Sequence, residues 1–421
     1  MRVRFACLGV VAFFATSGAN AQEEAISLFD RDRNIAVTER EHSGYSSEGL
    51  RRGAFLIKPG FAIGANQVSN VFASADDNET DIAITVRPSL SLDTTWSRHA
   101  LNLAGDVTRR QFFEFDNESV WNWTLETGGR LDISRATSLS PQIGYQSLTE
   151  ARTEAGFASE TFKPIEYSNF RALIGGRHEM GRLLLSGEVG LQELDYDDQD
   201  AIGGGIIDQD FRDYTQYEVM ARVDYAISPD TAVFARIRPN SRNYHLEPPQ
   251  AAFDRDSGGY TVDFGADFDI GGVARGLLGV GYIKQNYSDP GLNDESGLSV
   301  DGQVEWFPTQ LTTVTLQAGR SVEESPLGDS GGFFRTAAGA RVDHELRRNI
   351  VLSGGFDVVE DAYRDLNRTD ERLTVDIGAN YILNRWIAVR LSWRHIDQQR
   401  GGDAIARDYQ VNTFGFSLVR P

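Results

Sequence analysis

The chain has 421 residues, with 41 Lys and Arg against 61 Asp and Glu, and a formal net charge of -20. Such acidity speaks against nucleic acid as a partner, because phosphate binding needs clustered Lys and Arg. Length alone would suggest two or three soluble domains, but the pattern along the chain argues for one.

Residues 1–21 have the layout of a secretory signal. Arg2 and Arg4 form a positive start, Phe5 to Ala15 an apolar run, and Ala19-Asn20-Ala21 a small-x-small cleavage site. The apolar run is too short to cross a bilayer as a helix, which needs about 20 residues. The expected mature start is Gln22, and loss of Arg2 and Arg4 takes the charge to -22. The only cysteine, Cys7, lies inside that segment. A mature chain without a thiol has no disulfide, no Cys-ligated zinc and no thiol catalysis.

Residues 22–52 read as a short periplasmic lead, and 53–421 as one repetitive unit. No later stretch approaches 18 consecutive apolar residues, and no period of 3.6 is sustained. Period two recurs instead. Tyr260, Val262, Phe264, Ala266, Phe268 and Ile270 alternate with Thr261, Asp263, Gly265, Asp267 and Asp269. Leu298 to Trp306 and Leu373 to Leu383 behave alike. These are strands with one apolar and one polar face.

About eighteen such segments are expected, starting near residues 53, 79, 98, 117, 137, 165, 181, 211, 230, 257, 274, 295, 310, 332, 349, 370, 385 and 407. Many run to about 14 residues, beyond the globular mean of about 5 to 6. The connections alternate in length. Tight turns are expected at Ser134-Arg135-Ala136, Glu179-Met180-Gly181, Ser228-Pro229-Asp230, Pro308-Thr309, Arg347-Arg348-Asn349 and Asn384-Arg385. Long polar loops are expected at Asn66–Asn78, Glu154–Pro164, Asp195–Asp210, Tyr244–Asp256, Ser325–Gly331 and Arg400–Ala406. Short periplasmic turns opposite longer extracellular loops mark an outer-membrane barrel. The expected fold is all-β: a transmembrane antiparallel up-and-down β-barrel of about 18 strands. Closure satisfies the backbone groups that a bilayer cannot and removes aggregating edges. Trp121, Trp123, Trp306, Phe307, Trp386, Trp393, Phe414 and Phe416 suit interfacial girdles.

Residues 37–72 carry a family resemblance. Gly49-Leu50-Arg51-Arg52-Gly53-Ala54-Phe55, then Pro59, then Asn70-Val71-Phe72 resemble the opening of the putative outer-membrane β-barrel porin 2 family. The rest of the chain agrees in length and strand rhythm. The resemblance implies a barrel that exports an exopolysaccharide or capsular polysaccharide. It also implies polysaccharide as the transported ligand, with outer-membrane lipid, lipopolysaccharide and periplasmic export components as partners. The chain departs from common barrels at its end, where Phe414-x-Phe416-x-Leu418 is followed by Val419-Arg420-Pro421 rather than a terminal aromatic.

No catalytic site, cofactor site or metal site emerges from the motifs. The six histidines are scattered, with none at metal-ligand spacing, and no nucleophile elbow or phosphate loop is present. Asp195, Asp197, Asp198, Asp200, Asp208 and Asp210 crowd one outer loop, as a solvated acidic loop or a site for divalent cations bridging lipopolysaccharide. Asn34 to Glu39 faintly resembles the energy-coupling box of active transporters, but those carry a large plug domain and 22 strands.

The working surface is then the polar face of the strands. Lys58, Arg87, Glu126, Arg130, Arg171, Glu188, Arg222, Asp224, Asp263, Asp267, Asp301, Glu305, Arg341, Asp343, Asp376 and Arg390 are expected to line the pore. Both signs are present, which suits a mixed polar channel or wall-stiffening pairs on neighbouring strands. A barrel of 16 to 18 strands is wide enough for water. The expected function is a non-enzymatic conduit for a secreted polysaccharide. The alternatives are a general diffusion porin for small polar solutes and a structural or adhesive barrel with a blocked lumen.

Overall fold

The computed structural model describes residues 35–40, 45, 48–76, 78–154, 161–402 and 407–420. The expected signal segment and Cys7 lie outside the described residues.

Eighteen long strands follow one another around a single sheet: β1 (Phe55–Val68), β2 (Asp81–Thr94), β3 (Ala100–Phe112), β4 (Val120–Asp132), β5 (Thr137–Thr149) and β6 (Glu166–Met180). They continue with β7 (Leu183–Tyr196), β8 (Tyr214–Ser228), β9 (Thr231–Tyr244), β10 (Ser257–Ile270), β11 (Ala274–Tyr287) and β12 (Glu295–Thr309). The circuit ends with β13 (Thr312–Glu324), β14 (Gly332–Arg347), β15 (Ile350–Tyr363), β16 (Arg368–Asn384), β17 (Ile387–Gly402) and β18 (Tyr409–Val419). Each pairs antiparallel with its sequence neighbour, and β1 pairs with β18 from Ala62↔Val419 to Val68↔Thr413. The barrel is closed. Leu50–Arg52 adds a short strand against the start of β1.

Every strand starts within three residues of its expected position, because both signals used are physical. The hydrophobic period fixes the faces, and turn residues fix the ends. Tight turns need unusual backbone, and Gly181 (φ 62°) and Gly272 (φ 77°) supply it between β6 and β7 and between β10 and β11. The long loop after β7 holds more than irregular chain. Gln199–Asp200 pairs with Ile206–Ile207 across Gly203-Gly204-Gly205, and a 3-10 turn follows at Asp210–Arg212.

Along β10, Tyr260, Phe264 and Ile270 are exposed while Thr261, Asp263, Asp267 and Asp269 are buried. The same alternation holds on β11, where Leu278, Val280 and Tyr282 face outward. A soluble fold with this burial would be inside out. A barrel in lipid needs it, since hydrocarbon tails replace water around the apolar face.

Trp121, Trp123, Trp306, Trp386, Phe414 and Phe416 are exposed on that outer face, and Trp123 stacks on Tyr145 at 5.1 Å. Phe307 departs from the girdle expectation. It follows the outward Trp306 and shares the parity of Asp301 and Glu305, so alternation turns its ring inward, 5.9 Å from the Arg275 guanidinium.

Candidate functional site

The inner wall of β8 to β12 carries a network of ion pairs that is buried at its centre and open to solvent at Asp301. Arg222 binds Asp224 at 2.6 Å and approaches Asp267 at 3.7 Å. Arg236 binds Asp263 at 3.0 Å and Asp301 at 2.6 Å, and Arg238 reaches Asp263 at 3.3 Å. Ser299 donates to Asp263 at 2.7 Å. Arg222, Asp224, Arg236 and Asp263 are all at or below 4 % exposure. Phe234 lies among them, its ring 4.2 Å from the Arg222 guanidinium. The ring fits because the wall behind it is glycine: a side chain at Gly265 would collide with it, and one at Gly279 would stand 3.2 Å away.

The remaining expected pore residues are more dispersed. Lys58 pairs with Asp93 at 3.5 Å, Arg87 with Asp106 at 2.8 Å and Arg130 with Asp132 at 2.9 Å. Arg341 pairs with Asp343 at 3.0 Å, Arg394 with Asp376 at 2.7 Å, and Arg275 with Glu305. Gln146 donates to Glu126 at 3.2 Å, and Arg390 donates to Asn380 at 3.4 Å. Arg171 is exposed and Glu188 half-buried. Alternation sets all sixteen on the face opposite the exposed apolar residues.

At the long-loop end the lumen is filled by chain that carried no periodic signal. Residues 150–154 turn inward. Arg152 binds Glu118 at 2.6 Å and donates to Thr161 O at 3.1 Å. Arg212 binds Glu150 at 2.7 Å. Thr153 O accepts from Arg372 at 2.9 Å and from the Tyr409 hydroxyl at 2.7 Å, so this segment spans from β5 to the strands next to closure. Burial pushes the Glu154 carboxyl up to about 8, against the opposing pull of Arg372. Burial likewise raises Asp213 to about 6, although its carboxylate accepts the Tyr196 N–H at 2.7 Å.

Below these loops the wall is aromatic and polar. Tyr167 stacks on Tyr196 at 5.1 Å, and Tyr214 lies 5.3 Å from Tyr244. With Asn169, Gln192, Gln216, Arg212, Arg242, Glu150 and Glu154 they line a cavity of about 300 Å³. Sequence reasoning missed Arg236, Phe234 and these tyrosines, although their even spacing along β9 and β6 to β8 was available. The loop residues had no spacing to find.

The opposite end holds the lead. Val37 N donates to Thr313 Oγ1 at 2.9 Å, Glu39 binds Arg275 at 2.8 Å, and Arg40 binds Glu345 at 3.4 Å. Residues 36–40 therefore lie against the inner wall of β11 to β14 at the short-turn end.

In the acidic loop, the carboxylates of Asp198, Asp208 and Asp210 come within 4.8 Å of one another and are exposed. Two of them accept amides of their own loop, Asp198 from Gln209 N at 2.7 Å and Asp208 from Asp210 N at 2.9 Å.

A closed barrel with an apolar exterior and an ion-paired lumen leaves the family to be decided by the chain itself. The model of the family described as putative beta-barrel porin 2 matches residues 43–420. The chain belongs to that family. It is a porin-like outer-membrane barrel. No curated protein matches it. Among solved structures it is similar to the FrpB iron transporter from Neisseria meningitidis (9 % identity, TM-score 0.50, covering 85 % of this chain and 65 % of that one). It is also similar to a BenF-like porin from Pseudomonas fluorescens Pf-5 (10 %, 0.47, 86 % and 98 %). The outer membrane protein opdK from Pseudomonas aeruginosa matches to the same extent (10 %, 0.45, 86 % and 98 %). At these identities the likeness is one of fold.

Proposed function

We propose that this barrel is a passive conduit through which a secreted polysaccharide leaves the periplasm. The observation that supports this reading is the lumenal cavity beneath the long loops. Its paired tyrosine rings, Tyr167 with Tyr196 and Tyr214 with Tyr244, stand among amides, guanidinium groups and carboxylates. A sugar ring presents apolar C–H faces and a rim of hydroxyls. Aromatic faces and bidentate polar groups answer those two surfaces, and a mixed-charge wall does not hold the polymer by a single strong field. Transport needs such weak, repeated contacts, because a site that binds tightly does not release.

Planar-bilayer recording tests the reading. Neutral oligosaccharides added on the periplasmic side should interrupt the ionic current for times that lengthen with oligomer length. Tyr167→Ala with Tyr214→Ala should shorten those interruptions. Interruptions equal for sugars and for polyethylene glycol of matching size would count for a general diffusion porin instead.

A further inference from the structure

The barrel wall is not continuous at its long-loop end. β11 and β12 stay paired up to Gln285↔Glu295, and β13 and β14 up to Glu324↔Gly332. Between them, β12 and β13 stop pairing at Val300↔Arg320. Above that point the tip of the β13–β14 hairpin leaves the wall and folds into the lumen. Val322 and Phe334 form a buried cluster with Ile283. Ile283 neighbours the lipid-facing Tyr282 and so belongs to the inner face of β11. Val322 and Phe334, by contrast, share the parity of Leu316 and Val342, which face lipid lower on the same strands. The outer face of the tip thus packs on the inner face of its neighbours. Phe334 also stands 3.4 Å from where a side chain at Gly297 of β12 would begin.

The inward position is latched from β9 and the loop after it, two strands along the wall from β11. Arg242 of β9 binds Glu324 and donates to Val322 O at 3.0 Å, and the Tyr244 hydroxyl donates to Glu324. Arg255, 2 % exposed, donates to Ser325 O and to Gly331 O. The gap left in the wall is covered by the turn after β15. Arg364 binds Glu295 at 2.9 Å and donates to Ser296 O at 3.0 Å, and Asp365 accepts from Asn293 N at 2.7 Å and Gly331 N at 2.9 Å.

We infer that the β13–β14 tip is a gate, with an alternative position already written into its strands. Continuing the observed register places Ser299 opposite Ser321 and Leu298 opposite Val322. Swung back, the tip would complete the ladder with β12 and return Val322 and Phe334 to the lipid face that their alternation prescribes. The small pairs Ala318↔Ala338 and Gly319↔Ala337 lie next to the departure point, so bending there unpacks little side chain. Two packings of one segment, each satisfying its backbone and its apolar groups, make a bistable element. The latch ion pair favours the inward one. Opening would remove the tip from the lumen, while the turn after β15 gives up Glu295 and Ser296.

The two positions can be trapped separately by disulfides, since Cys7 is the only native cysteine. Ile283→Cys with Val322→Cys joins the tip to the inner wall. Leu298→Cys with Val322→Cys joins it to the completed ladder. Each is made in the full chain, checked for folding by heat-modifiable migration, and recorded in planar bilayers with potassium chloride alone, so the result does not depend on the polysaccharide reading. The first pair should lose its large conductance on oxidation and regain it with reductant. The second should crosslink and hold the large conductance open. Glu324→Gln, which weakens the latch, should raise the open fraction. Failure of either folded pair to crosslink, or conductance unchanged by oxidation of the first pair, would overturn the gate.

Discussion

Arg236 of β9 and Asp301 of β12 meet at 2.6 Å across the inner faces of β10 and β11, where Gly279 of β11 stands directly opposite Asp301 in the ladder. The contact ties β9 to β12 over two intervening strands, because β11 carries no side chain at that level and Asp263 of β10 shares the Arg236 guanidinium at 3.0 Å. Together with Arg222, Asp224, Asp263 and Phe234 this makes a largely buried stretch of lumen wall, as Arg368 with Asp370 is near the loop end, whereas the pairs Lys58–Asp93, Arg87–Asp106 and Arg130–Asp132 are partly exposed.

Removing one partner of a buried ion pair leaves the other charge unsolvated. Arg222→Ala, which strands Asp224 at 0 % exposure, should therefore lower the unfolding free energy by about 3–5 kcal/mol. The double change Arg222→Met with Asp224→Leu should recover most of that loss. Urea titration of the barrel folded into lipid vesicles reads both. A single variant as stable as the double would show that the pair is solvated.

Glu154 gives the extracellular constriction a pH dependence. Its folded carboxyl titrates near 8 against an ordinary value of 4.5, so between these values the folded state holds a proton that the unfolded state has lost. The stability it contributes is present at low pH and declines as pH rises from about 4.5 to 8. Above pH 8 the ionised carboxylate faces Glu150 and Asp361 as well as Arg372 and Arg335, and residues 150–154 should loosen. Conductance should rise through that interval, and Glu154→Gln should flatten the profile. A profile identical in Glu154→Gln would contradict this origin.

Arg152 holds the same segment through Glu118 and Thr161. Arg152→Ala leaves the Glu118 side chain, 3 % exposed, without its cation. At roughly 3 kcal/mol for an unpaired buried charge, the segment should leave the lumen. The expected readout is larger single-channel conductance together with new proteolytic cleavage near residues 150–154 on intact cells. Protection equal to that of the parent chain would show that other contacts hold the loop.

The two faces of the barrel should respond oppositely to charge. Val280 points to lipid at mid-strand, so Val280→Arg should cost about 2–4 kcal/mol of folding free energy in vesicles. Arg171→Gln, at an exposed inner position, should change stability little. Equal costs at the two sites would undermine the assignment of faces.

Much of this architecture is legible in the residues. Tyr260, Phe264 and Ile270 set against Asp263 and Asp267 reveal a strand and both its faces, because alternation is a property of the backbone itself. The turn at Ser228-Pro229-Asp230 is equally local. What the pattern hides are contacts whose partners lie far apart. Arg212 with Glu150 and Arg152 with Glu118 join loops that share no period, and Arg242 with Glu324 joins strands four apart in the sheet. Phe307 cannot share the lipid face with its neighbour Trp306, because successive side chains of a strand point opposite ways. Val322 shows the deeper limit: its parity prescribes a lipid-facing position, while tertiary packing turns it inward.

The conduit itself is tested most directly by secretion. In a strain deleted for this chain and complemented from a plasmid, polysaccharide released into the medium should be restored by the parent chain. It should be restored poorly by Tyr167→Ala with Tyr214→Ala at equal barrel abundance in the outer membrane, with polymer accumulating in the periplasm. A deletion strain that releases normal amounts of polysaccharide would contradict the account.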